Sequence, residues 1–211
     1  MTTLTPKNRR AEPDERRELL VAATLRCLVR DGHAGISVRR IATEAGVSVG
    51  LLNHHFGTID ALIADTYQKL ASELTTALHR EIDLAQTPAE KIDAFLTGSF
   101  SPRVMAPELL GAWVVFWSLI RHSEHVSQSH EKSYGAYLDL LSQLLGNLAA
   151  SEGFVIHDTR LAAIGLSAML DGLWIEWCLN PETFSPANGL HICRCWIKGL
   201  RHGAFSTDNV V

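Results

Sequence analysis

Residues 37–56 read SVRRIATEAGVSVGLLNHHF, and the fold turns on this stretch. It predicts two short helices crossing steeply over a tight turn, and each residue type has a physical reason for its place. Ser37 caps a first helix running through Ala45, because its side-chain oxygen accepts an otherwise orphaned backbone N–H. Gly46 follows, the residue that enters the left-handed region without a Cβ clash. Ser48 caps a second helix ending at His55 or Phe56. Ala42 is small enough to let the second helix approach the first, and Ile41, Val47 and Leu52 are spaced to form the buried seam between them. In a helix-turn-helix, the N-terminal end of the second helix enters the major groove of DNA. The competing reading is an ordinary helical hairpin with a glycine turn, since the pattern spans only about twenty residues.

Working outward, helix signals recur and strand alternation does not. A helix over 14–31 buries a stripe of Leu20 or Val21, Thr24 and Leu25, then Leu28, and Gly32 ends it. Thr58 opens a long helix over 59–83 whose length suits a connector. Thr87-Pro88-Ala89-Glu90 is a capping box with proline in the first turn. Pro107 starts a helix carrying Leu109, Leu110, Trp113, Phe116, Trp117 and Ile120. Further helices are predicted over 126–151, from Asp158 to about Leu179, and from Ser185-Pro186 to about His202. The expectation is an all-α chain of nine helices. A three-helix domain with the helix-turn-helix occupies 1–57, and a helical domain for ligand binding and dimerisation occupies 58–211.

The chain of 211 residues is 46% hydrophobic and 20% charged, enough for a small module and a larger one with its own core. Its net charge of −4 is unevenly spread. Residues 1–60 hold nine Lys/Arg against seven Asp/Glu, while the remainder holds ten against sixteen. A basic reading head on an acidic body fits DNA binding, although chance variation in surface charge would look the same. Cys27, Cys178, Cys193 and Cys195 lie mostly within apolar helical patterns, which suits reduced thiols in the cytoplasm. No signal peptide is expected, and no apolar stretch is expected to reach the length of a membrane span.

In the second domain the aromatics are concentrated: Phe95, Phe100, Trp113, Phe116, Trp117, Trp174, Trp177 and Trp196, with all five tryptophans after residue 100. Core packing is the plain explanation for each one. Asp171 and Glu176, however, lie in the same apolar helix as two of the tryptophans, and Asp171 shares a face with Trp174 three residues on. A carboxylate beside aromatic faces holds an organic cation by charge and cation–π attraction. The candidate ligand site is therefore Trp113, Phe116, Trp117, Asp171, Trp174 and Glu176, with a structural buried acid as the alternative for Asp171. His191 and Cys195, four apart, are the nearest approach to a metal site, and no further ligand is evident. No catalytic motif, phosphate loop or nucleotide fingerprint is present, so neither an enzyme nor a cofactor is expected.

LLVAATLRCLVRDG at 19–32 and SVRRIATEAGVSVGLLNHHFGTIDALI at 37–63 resemble the TetR class of one-component repressors across its DNA-binding domain. GAWVVFWSLI at 111–120 and AMLDGLWIEWCL at 168–179 resemble its betaine-pathway, BetI-type branch, whose members control osmoprotectant synthesis and respond to choline. The resemblance implies base-edge contacts from Val49, Gly50, Leu51 and Asn53. Among these, only Asn53 has a side chain that can pair with a base edge. It implies phosphate contacts from Ser48, His54 and His55, and from Arg39, Arg40 and Thr43 on the preceding helix. Arg9 and Arg10 are candidates for a minor-groove arm. It also implies a homodimer built by the last two helices, where Leu161, Ile164, Ala168, Ile192 and Trp196 fit a two-sided burial pattern. The function implied is a repressor on a palindromic double-stranded operator, released by a small-molecule effector, choline or a related cation. The alternatives are a hydrophobic or fatty acyl effector, and a helical ligand-binding protein without DNA binding. The sequence departs from the family pattern at Ile59, where many relatives place a phosphate-gripping Lys, and at Asn53, where a Tyr is common.

Overall fold

A computed structural model describes residues 13–32 and 35–203, and within them nine helices follow one another without a strand. They are α1 Pro13–Asp31, α2 Val38–Ala45, α3 Val49–Phe56, α4 Ile59–Leu84, α5 Pro88–Ser99, α6 Pro107–Leu119, α7 Glu124–Glu152, α8 Thr159–Leu179 and α9 Pro186–Arg201. The predicted ends are set by local chemistry. The Ser37 and Ser48 hydroxyls accept from the backbone N–H groups of Arg40 at 3.3 Å and Leu51 at 3.2 Å. Between them Gly46 takes φ 66°, the left-handed conformation that turns the chain from α2 to α3. At the start of α5 the capping box closes in both directions. Thr87 Oγ1 accepts from the Glu90 N–H at 3.2 Å, and Glu90 Oε2 accepts from the Thr87 N–H at 2.9 Å. Asp158 caps α8 and Ser185 caps α9.

The chain divides into two compact units, up to Thr66 and from Tyr67 onward, with the division inside α4. In the first unit Leu20, Val21, Ala23 and Cys27 of α1 pack with Ile41, Ala42, Leu52 and Leu62. Ile41 and Leu52 are wholly buried and Val47 packs on the cluster, which is the seam the spacing predicts. Ile59 also packs on it, which gives the apolar residue at that position a physical reason.

In the second unit α8 packs along α7, and Leu141, Leu145 and Leu148 meet Ala162, Ala163, Leu166 and Leu170 in a core that α5 and α9 complete with Phe95, Cys193 and Ile197. Helix α8, at 21 residues, is long and apolar enough to cross a membrane by length and composition alone, which corrects the expectation that no stretch reaches that length. Asp158 caps the helix, so Thr159–Leu179 is one continuous apolar helix. One flank of α8 is buried in the unit's own core, and the helix carries Asp171 and Glu176.

Candidate functional site

Two sets of residues are candidates, one in each unit. In the first unit, α3 presents Val49, Gly50, Asn53 and His54 to solvent, with Leu51 and His55 half-buried and Leu52 turned into the core. Ser48 at its head is exposed while its oxygen holds the cap. Arg17 of α1 fastens the far end of α3, its guanidinium 4.9 Å from the Phe56 ring centre and ion-paired with Asp65.

On α2, Arg39, Arg40 and Thr43 are all exposed, and with Arg30 and Glu44 they border one shallow concavity. They are not equally available. Arg40 donates to the Gly35 carbonyl at 2.6 Å and lies 3.4 Å from the Asp31 carboxylate. The Thr43 hydroxyl donates back to the Arg39 carbonyl at 2.9 Å. Arg30 is shared between Asp31 and Glu44, and Arg26 also binds Glu44; these guanidinium groups hold both carboxyls below the usual range. Arg39 alone of the Arg residues there has no ion pair among the described residues. Arg30 was not among the expected residues, since no signal inside 37–56 points back to α1. Arg9 and Arg10 lie outside the described residues.

In the second unit a cavity of about 70 Å³ is walled by Trp113, Trp117, Asp171 and Trp174, four of the six residues expected there. Phe116 is fully buried behind it, edge-on to Tyr67 with ring centres 5.4 Å apart. Glu176 is exposed and accepts from the Asn180 amide at 3.1 Å, outside the cavity. It lies five residues from Asp171, so at about 100° per residue it faces well away from it. The Trp174 ring is oriented by its indole N–H, which donates to the buried Ser99 carbonyl at 3.0 Å.

The sequence did not indicate that α4 and α7 line the same cavity, with Tyr67, His130, Tyr134 and Tyr137. The available signal was the spacing of His130, Tyr134 and Tyr137, which shares one helical face. Tyr67 Oη lies 2.8 Å from His130 Nδ1, and His130 stacks on Tyr134 with ring centres 5.1 Å apart. The Tyr137 hydroxyl is buried without a hydrogen-bond partner among the described residues. Burial pushes the Asp171 carboxyl up to about 6, with the Ser167 hydroxyl one turn earlier pulling the other way. Burial also depresses His130, against the opposing pull of Glu131, so this imidazole favours its neutral form. Asp171 has no ion pair with Lys or Arg among the described residues. On α9 the Cys195 thiol lies 3.5 Å from His191 Nε2, and no group of three potential metal ligands occurs among the described residues.

Residues 20–66 match the family of bacterial regulatory proteins of the tetR type, and residues 88–202 match the C-terminal domain of BetI-type transcriptional repressors. The HTH-type transcriptional regulator BetI of Brucella canis is 32% identical over 202 residues, covering 94% of this chain and 97% of the relative. Its namesake from Vibrio vulnificus is 30% identical over 172 residues, covering 81% and 84%. A crystal structure of a transcriptional regulator from Pseudomonas aeruginosa PAO1 superposes with a TM-score of 0.87 at 45% identity, covering 93% of this chain and 95% of that one. A regulator from Saccharomonospora viridis, solved in complex with choline, shares the fold at a TM-score of 0.77 and 16% identity, over 88% and 96% of the two chains. The chain belongs to the TetR family of transcriptional regulators, in its BetI-type repressor branch. These are DNA-binding regulators, not enzymes.

Proposed function

We propose that the protein is a homodimeric repressor that grips a palindromic operator through α3 and releases it when an organic cation, choline or a relative, occupies the cavity around Asp171. The observation that carries this reading is the carboxylate itself. Asp171 sits among Trp113, Trp117, Trp174 and three tyrosines, with no Lys or Arg paired to it among the described residues and with His130 of the same cavity favouring its neutral form. An unpaired carboxylate in such a place is costly, and a cation relieves that cost. Aromatic faces add cation–π attraction that water does not supply.

The DNA-reading part comprises residues 1–57 together with the start of α4, and the remainder binds the effector and the second copy. Release follows if the effector-bound form holds the two heads at a spacing that the half-sites do not match. The energy of release is bounded by the effector's differential affinity for the two forms. A repressor of chromosomal operators works in the cytoplasm, where the DNA is. Tryptophan fluorescence titrated with choline, betaine aldehyde and a fatty acyl compound, with DNA binding followed in parallel, tests the reading. Choline or the aldehyde should quench and free the DNA. Quenching and release by the acyl compound alone would overturn it.

On the DNA side, Asn53→Ala should cost about 1–3 kcal/mol on the cognate operator and relax base preference at one position. Arg39→Ala should weaken cognate and random DNA alike and flatten the salt dependence by about one phosphate contact. Arg40→Ala should do less, because Arg40 is already engaged by Gly35 and Asp31. Binding isotherms across a salt series separate the three. An Asn53→Ala protein with unchanged operator selectivity would remove α3 from the major groove.

A further inference from the structure

The cavity around Asp171 has room for a compact cationic head and little more. Its volume of about 70 Å³ is well below the several hundred Å³ of organic ligand sites. A second cavity of about 350 Å³ adjoins it between α4, α5 and α6. Trp113 and Leu74 border both cavities, so the two are separated by side chains rather than by backbone. Trp113 is pinned by ring contacts to Tyr67 at 5.5 Å, Phe116 at 6.3 Å and Trp117 at 6.3 Å. Leu74, half-buried on α4, is the other half of the partition.

The lining of the second cavity indicates what it takes. Its inner wall is aliphatic, built by Leu70, Leu78, Val104 and Leu109. Its exposed rim carries Glu73, Glu81, Arg80 and Arg103, two charges of each sign, with Glu73 paired to Arg103 at 3.6 Å and to Lys69 at 3.5 Å. Such a rim favours neither a second cation nor an anion, and the interior suits a neutral apolar chain.

We infer that the effector is an ammonium ion carrying an apolar chain, its head held at Asp171 and its chain passing Leu74 and Trp113 into the α4–α5–α6 cavity. This rests on the cation reading above and specifies the chemical class of the ligand. A small cation fills only the head compartment; the chain supplies the apolar burial that the small cavity lacks.

The test is a series of ethyl-, butyl-, hexyl- and octyltrimethylammonium titrated against the full-length protein. Each methylene that enters the second cavity should tighten binding about fourfold until the cavity is full. Ala94→Leu, which fills the second cavity from α5, should abolish that gain and leave ethyltrimethylammonium binding unchanged. Ala77→Leu, from α4, provides the same readout should the first variant fold poorly. Binding of the ethyl compound with no gain along the series would overturn the chain site and leave the cation reading standing. A gain that survives both substitutions would place the chain elsewhere and also overturn it. No binding by any member would overturn both.

Discussion

Replacing Asp171 with Asn is expected to abolish the response to the cation and, at pH 8, to make the effector-free protein more stable. Both effects come from the same burial. The carboxyl titrates near 6 in the folded chain against 3.8 when unperturbed. A folded-state value raised in this way means stability is lost as pH rises through it. The loss is absent below about pH 4 and complete above about pH 6, and it amounts to at most roughly 3 kcal/mol. Thermal melts should therefore show Asp171→Asn above the parent at pH 8, with the gap closing as pH falls to 4. Cation binding should run the opposite way in the parent. It needs the ionised form, so affinity should be about tenfold weaker at pH 5 than at pH 8. A variant that still binds the cation, or a parent whose affinity is flat between pH 5 and 8, would make Asp171 a structural acid.

The second large effect is expected at the outer faces of α8 and α9. Leu161, Ile164 and Ile192 remain 54%, 40% and 44% exposed in the protomer, and Ala168 lies exposed on the same helix as the first two. Apolar side chains left bare on two adjacent helices mark a surface for a second copy, the arrangement we propose for the homodimer. The double variant Ile164→Glu, Ile192→Glu should sediment as a monomer while keeping the helical circular dichroism of the parent, since neither side chain belongs to the protomer core. Operator affinity should fall by about two to four orders of magnitude, because one head on a half-site forfeits the effective concentration that a linked partner supplies. A dimer that persists, or a monomer that binds the operator as tightly as the parent, would show that the pairing lies elsewhere.

Some of this architecture can be read directly from the sequence and some cannot, and the difference is one of range. Ser37, Ser48, Thr87, Asp158 and Ser185 announce helix starts because the groups they satisfy lie within three residues of them. Gly46 announces the turn because φ 66° is a property of one residue. The acid and the tryptophans of the cavity around Asp171 are legible as an unusual mixture on apolar helices. Tyr67, Tyr134 and Tyr137 are not, because their role depends on α4 and α7 facing α6 and α8, which no local pattern states. Glu176 is the converse case. It shares a helix with Asp171 but not a face, as the five-residue spacing already implies and its bond to Asn180 bears out. Arg40 is recognisable as a cation, while its engagement by Gly35 and Asp31 is a tertiary fact.

The four cysteines differ in a way that has a practical use. Cys178 is half-buried and Cys195 exposed, whereas Cys27 and Cys193 are sealed, one in the core of each unit. Burial pushes the Cys193 thiol up to about 12 and raises Cys27 as well, so neither supplies thiolate to a labelling reagent while its surroundings stay closed. Each modifies only as fast as its own unit opens. With Cys178 and Cys195 replaced by serine, the two labelling rates become separate clocks. They report whether the head and the body open together or apart, and whether an effector bound to the body slows only the Cys193 clock.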